Sequence, residues 1–93
     1  MEIKDSKILV IGGAGFIGSF VVTELLKHPV KEVVIYDNFA RGNKQHLQEQ
    51  LKDERCSIFP FGGDIREIDI LDTAIQGKDY VISLAAMWLL HCK

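Results

Sequence analysis

The chain alternates between two apolar patterns. "KILVIG", residues 7–12, is a short and nearly continuous apolar run, as expected of a strand buried on both faces. "FIGSFVVTELLKH", residues 16–28, changes to helical spacing, with Ile17, Val21 and Leu25 one turn apart. Pro29 ends that helix and leaves His28 in its last turn, where positive charge is favoured. "EVVIYD", residues 32–37, predicts a second buried strand, and the Gly and Asn of "NFARGN" predict a loop after it. Residues 44–55, "KQHLQEQLKDER", predict a helix with a thin stripe of His46, Leu47, Gln50 and Leu51. "SIFPF", residues 57–61, predicts a third strand. Pro60 inside it cannot donate to a ladder, so this strand belongs at a sheet edge. "DIRE", residues 64–67, fits a capping box, with Asp64 as N-cap and Glu67 three residues on. The helix that follows places Ile68, Leu71 and Ile75 on one face and stops at Gly77. "DYVISLAA", residues 79–86, predicts a fourth strand, and the apolar tail "MWLLHCK" follows it.

Four strands alternating with three helices predict an α/β fold with a parallel sheet, right-handed crossovers and helices on both faces. A three-layer sheet of strand order 3-2-1-4 puts the Pro60 strand at the edge, as proline requires. The 93 residues allow one domain, and no repeat, linker or low-complexity segment divides them. A net charge of −2 gives no reason to expect a nucleic acid or an anionic membrane as partner. The charged opening "MEIKDSK" lacks the apolar core of a signal peptide, and no apolar run approaches the length of a membrane span. Cys56 and Cys92 have no paired spacing and read as reduced thiols of a cytoplasmic protein. His91 and Cys92 are adjacent and without further ligands, so no metal site is expected.

Between the first strand and the first helix, four glycines fall within seven residues: Gly12, Gly13, Gly15 and Gly18. Glycine carries an entropic cost, so packing alone rarely selects so many. In this context three of them have a use. One permits positive φ at the turn, and one lets the backbone approach a pyrophosphate that the free N–H groups of the helix receive. Gly18 lets the helix pack closely on the sheet. The pattern therefore points to a dinucleotide, against the plainer reading of a tight turn with no ligand. Asp37 ends the second strand about twenty residues beyond the glycines, where a carboxylate can accept both ribose hydroxyls of an adenosine. It also repels a 2′-phosphate, which favours NAD over NADP. The competing reading of Asp37 is a turn-forming residue ahead of a loop. Arg41 nearby is read as a solvated loop residue or a clamp on the adenine side.

"GGAGFIG", followed by "YDN", "GDIR" and "LAA", resembles the extended short-chain dehydrogenase/reductase family. The nearest flavour is the NAD-dependent sugar-nucleotide epimerases and dehydratases, of the UDP-glucose 4-epimerase type. The resemblance covers nearly the whole chain and implies a Rossmann-type sheet that is incomplete here. Gly12, Gly15 and Gly18 match the family's glycines, and Phe16 and Ile17 supply the amides it uses on the pyrophosphate. Asp37 matches its ribose acid, with Asn38 assisting. Asp64 and Ile65 match the pair that borders the adenine, although Asp64 has an equal claim to cap its helix. Leu84, Ala85 and Ala86 match the strand segment beside the cofactor, where the two alanines also suit a packed strand end. Ile11 stands where threonine is common and Ser83 where histidine is common, which leaves the subfamily open.

The family's catalytic pair is Tyr-x-x-x-Lys. Tyr36 is followed four residues on by Ala40 and Tyr80 by Leu84, so no catalytic residue is assigned. The resemblance implies that residues 1–93 are the N-terminal, NAD-binding part of a longer enzyme. That enzyme would act on a nucleotide sugar by hydride transfer, 4-epimerase type favoured, with a homodimer as a possible assembly. Two alternatives stand beside this reading: a non-catalytic dinucleotide-binding sensor or regulatory module, and a remnant that binds nothing.

Overall fold

Two central strands, apolar on both faces, organise the molecule. β1 (Lys7–Ile11) and β2 (Glu32–Tyr36) are buried over four of their five residues each. In the computed structural model, which describes residues 3–12, 15–37, 44–60 and 66–84, they pair in parallel from Lys7↔Glu32 to Ile11↔Tyr36. β3 (Cys56–Ile58) adds to β2 and β4 (Tyr80–Ser83) adds to β1, both parallel, giving the expected order β3-β2-β1-β4. Side chains alternate across a strand. Ile8, Val10, Val33 and Ile35 therefore fill one layer, with Val22 and Leu25 of α1 (Phe16–Leu26) and Leu47. Leu9, Ile11, Val34 and Tyr36 fill the other, with Ala74 of α2 (Ile68–Ile75). Ile70, Leu71 and Ile75 pack against that second layer, and Phe59 meets Tyr36 edge-on at 5.9 Å between ring centroids.

Several elements differ from the sequence reading. α1 stops at Leu26, with Lys27 as its C-cap, so His28 lies beyond the helix rather than in its last turn. The cation at that helix end is Arg55. Its guanidinium donates from Nη2 to the Leu26 carbonyl at 2.6 Å, and from Nη1 to the carbonyls of His28 at 2.8 Å and Val30 at 3.3 Å. Residues 44–55 form two 3₁₀ turns, Lys44–Leu47 and Gln50–Lys52, instead of one helix. A helix gains most of its stability from an apolar face, and this segment offers only Leu47, fully buried, and Leu51, half-buried.

β3 ends at Ile58. The Phe59 N–H still donates to the Ile35 carbonyl at 2.8 Å, so pairing stops just before Pro60, which lies outside the strand. The capping box does not form. α2 begins at Ile68, which puts Glu67 at the N-cap position without a side-chain cap bond, and Asp64 lies outside the described residues. Ile68 is 67% exposed and does not share the core face with Leu71 and Ile75. Gly77 does close the helix, at φ +77°. The apolar tail and Cys92 lie outside the described residues, as does the loop with Arg41.

The amino ends of the strands are tied by side chains. Asp79 accepts the Lys7 N–H at 2.8 Å while its own N–H donates to the Lys7 carbonyl at 2.7 Å, joining β4 to β1. Arg55, just ahead of β3, is held by Asp53 through Nε at 3.0 Å and Nη2 at 2.8 Å.

Candidate functional site at the carboxyl ends of the strands

The glycine turn begins where β1 ends. Gly12 has φ +85°, a conformation that disfavours any side chain, so here the backbone itself requires glycine. Its N–H donates to the Tyr36 carbonyl at 2.9 Å. That bond places the turn beside Asp37, the next residue along, which is half-buried. On the other flank the Leu84 N–H donates to the Ile11 carbonyl at 2.9 Å. Gly12, Asp37 and Leu84 thus meet at the carboxyl ends of β2, β1 and β4. The chain order reverses between β1 and β4, and open α/β sheets bind ligands in the crevice at such a point.

Gly15 is the N-cap of α1, at φ −77° and ψ 173°, and makes no side-chain cap bond. The helical ladder begins with the Ser19 N–H on the Gly15 carbonyl at 2.8 Å. The N–H groups of Phe16, Ile17 and Gly18 precede that first bond, so they are donors without an intrahelical acceptor and carry the positive end of the helix dipole. Gly18 is buried, while the Ile17 side chain is 69% exposed. No acidic side chain lies in this first turn to compete for the donors.

Gly15 has no conformational need to be glycine. Its φ suits any residue, and among the described residues a Cβ built there would meet only the Gly12 carbonyl, at an ordinary 3.8 Å. An open cleft of about 410 Å³ lies at the start of α2, lined by Arg66, Glu67, Ile68, Asp69 and Ile70. Ile68 forms one of its walls. Asn38, Asp64, Ile65, Ala85 and Ala86 lie outside the described residues.

Among the described residues, the titratable groups with clear perturbations sit away from this rim. The Arg55 guanidinium and main-chain N–H hold the Asp53 carboxyl at about 2, and Asp53 raises Arg55 in return. Burial and the Asp53 charge push the Cys56 thiol up to about 11, which keeps it protonated and unreactive. Among the described residues no group of three or more His, Cys, Asp or Glu is gathered for a metal ion. No helix among them is long and apolar enough to cross a membrane.

Sequence reasoning missed two side chains that shape the region. Arg55 fixes the far end of α1, and Gln50 reaches across to its middle, donating to Thr23 Oγ1 at 2.6 Å. The sequence placed Gln50 on the thin stripe of residues 44–55 without a partner, and gave Arg55 no role.

Residues 9–93 match the profile of the 3-beta hydroxysteroid dehydrogenase/isomerase family. UDP-glucuronic acid decarboxylase 3 of Arabidopsis thaliana is 43% identical over 54 residues, which is 58% of this chain and 16% of the relative. UDP-glucose 4-epimerase of Rickettsia bellii is 30% identical over 84 residues, 89% of this chain and 25% of the relative. Among solved structures, the Bordetella bronchiseptica enzyme WbmF in complex with NAD+ and UDP superposes with a TM-score of 0.69 at 28% identity. That match covers 88% of this chain and 23% of WbmF. The chain therefore spans about a quarter or less of the length of these relatives. Its glycine turn, its sheet order and its likeness to sugar-nucleotide enzymes agree with the kinship expected from the sequence, and the chain belongs to the 3-beta hydroxysteroid dehydrogenase/isomerase family.

Proposed function

We propose that this chain is the NAD-binding portion of a nucleotide-sugar epimerase or dehydratase, with the 4-epimerase type favoured. The observation that carries the reading is Gly15: among the described residues the backbone gives no reason for glycine there, which leaves the space above its Cα to a ligand. A pyrophosphate fits that space, because the leading N–H groups of α1 face it with no acid among them. In this reading Gly12 makes the turn, Gly15 admits the pyrophosphate, and Phe16, Ile17 and Gly18 donate main-chain hydrogen bonds to it. Asp37 accepts the ribose hydroxyls and disfavours a 2′-phosphate. Asn38, Asp64, Ile65, Leu84, Ala85 and Ala86 complete the adenosine side and the flank of the cofactor.

NAD, when bound, supplies a hydride acceptor and donor. The residues of this chain bind and orient it, and none is assigned a catalytic role, since neither tyrosine has a lysine four residues on. Residues 1–93 are then one part of a longer cytoplasmic protein, in which a nucleotide sugar is the substrate and a homodimer a possible assembly. The relatives named above support the substrate class, and their different reactions leave the outcome to the longer protein.

The test is a calorimetric titration of the chain with NAD, NADP and AMP, alongside the intact mass of the natural gene product. Expected are saturable binding with NAD tighter than NADP, and a mass roughly three times that of this chain. Absence of saturable NAD binding would refute the reading. A second reading, a non-catalytic dinucleotide sensor, predicts no Tyr-x-x-x-Lys pair anywhere in the natural gene product. It predicts NAD binding by a natural product of 10.5 kDa.

A further inference from the structure

We propose that Gln50 is a positioning residue for the dinucleotide site, a latch that fixes the middle of α1, at Ser19 and Thr23, to the segment following Asp37. The inference rests on the dinucleotide reading above. Gln50 opens the second 3₁₀ turn and is half-buried. Its Nε2 donates to Thr23 Oγ1 at 2.6 Å and to the Ser19 carbonyl at 3.3 Å, both on α1. Neither acceptor depends on it. The Thr23 hydroxyl already donates to the Ser19 carbonyl at 3.0 Å, and Thr23 is exposed to water.

The other half of the amide is poorly served. Gln50 Oε1 is buried and has no hydrogen-bond partner, the one side-chain atom so placed among the described residues. A buried unpaired acceptor is a costly arrangement that an apolar side chain of equal length avoids. Local stability therefore does not explain a glutamine here.

Its position does. The chain leaves the site at Asp37, next to the residue whose carbonyl receives the Gly12 N–H. It returns to α1 at Leu47, fully buried in the layer that holds Val22, and Gln50 fastens it there. In the dinucleotide reading, the leading N–H groups of α1 hold the pyrophosphate and Asp37 holds the ribose. One ligand spans both, so affinity depends on how firmly one is held relative to the other. Gln50 sets that relation from outside the ligand's contacts.

The test uses the full chain with Gln50→Met, and Thr23→Val as a second variant that removes the same bond from its other side. Three quantities are read: the NAD Kd by calorimetry, the thermal midpoint without ligand, and amide hydrogen exchange at Ser19 and Phe20. Gln50→Met is expected to weaken NAD about three- to tenfold, to leave the midpoint unchanged or raised, and to speed exchange at both amides. Thr23→Val should weaken NAD in the same direction, and the double variant should be no worse than the stronger single one. A lowered midpoint with unchanged NAD affinity would make Gln50 merely structural and overturn the proposal, as would unchanged exchange. Equal NAD affinity in wild type and Gln50→Met overturns the role of Gln50 alone. A wild-type chain that fails to bind NAD overturns the dinucleotide reading, and the latch with it.

Discussion

Replacing Gly15 with serine separates a glycine kept for the fold from a glycine kept for a ligand. The backbone there, φ −77° and ψ 173°, is the extended conformation in which serine caps helices. The added Cβ would sit 3.8 Å from the Gly12 carbonyl, an ordinary contact, so no strain opposes it. The hydroxyl gains an N–H of the first turn, worth a few tenths of a kcal/mol over glycine at an N-cap. Loss of glycine's freedom in the unfolded chain adds about 0.4–1 kcal/mol. The sum, about 1 kcal/mol of stabilisation, raises the melting midpoint of a domain this size by roughly 4–8 °C.

The same change should damage the site. In the dinucleotide reading, the hydroxyl takes a donor that would serve the pyrophosphate, and the Cβ enters the space above the turn. NAD at about 100 times its Kd stabilises the wild-type chain by about 2.7 kcal/mol, and a tenfold loss of affinity reduces that to about 1.4. The assay is a pair of thermal melts, with and without a fixed NAD concentration, on wild type and Gly15→Ser. The expected result is a higher midpoint without ligand and a smaller ligand-induced rise. A lower midpoint in the absence of NAD would show that the fold needs this glycine, and the argument from Gly15 would collapse. A higher midpoint with the full NAD-induced rise would refute the ligand half of the reasoning.

Asp37→Asn should weaken NAD and narrow its advantage over NADP, because it removes the charge that a 2′-phosphate would meet; competition titrations measure both. Leu47→Ala should cost about 2–4 kcal/mol in urea unfolding, since the side chain is fully buried and its loss leaves a cavity under the 3₁₀ turns. Asp53 is held at about 2, below its ordinary 3.8, so the unfolded chain takes up that proton first as pH falls. Its contribution is complete above about 3.8 and is lost as pH falls through about 2; Asp53→Asn should flatten that part of a stability-against-pH curve.

The parts of the fold that the sequence revealed are those where one physical demand dominates. Val33 to Tyr36 must be apolar on both faces, and an unbroken run can be little else in a chain this short. The sheet order followed from the alternation of strands and helices, and it held although Pro60, expected inside the third strand, lies just beyond it. Gly12 was legible because positive φ leaves few alternatives. Residues 44–55 were misread because charge and amide spacing resemble a helix when nothing indicates how little of it is buried. Leu47 alone sits in the core, and Gln50 directs its amide sideways to α1. The supposed capping box failed for a related reason. Glu67 adopts φ −87° and ψ 76°, outside the helix it was expected to enter, and the pattern could not show where the first turn starts. Arg55 was invisible because its partners are main-chain carbonyls, which carry no sequence signature.

The clasp made by Arg55 has a consequence for how this sequence can drift. Its three carbonyl partners belong to Leu26, His28 and Val30, and a carbonyl is supplied by any residue. Those positions can exchange side chains freely as far as the clasp is concerned, whereas Arg55 cannot be traded even for lysine, which lacks the fork that reaches several acceptors at once. Arg55 and the Asp79 tie both grip the amino rim of the sheet, while the glycine turn and Asp37 occupy the opposite rim. Side-chain substitutions along the carboxyl rim can therefore accumulate without loosening these ties, and a scaffold so anchored can change what that rim presents while every intermediate stays folded.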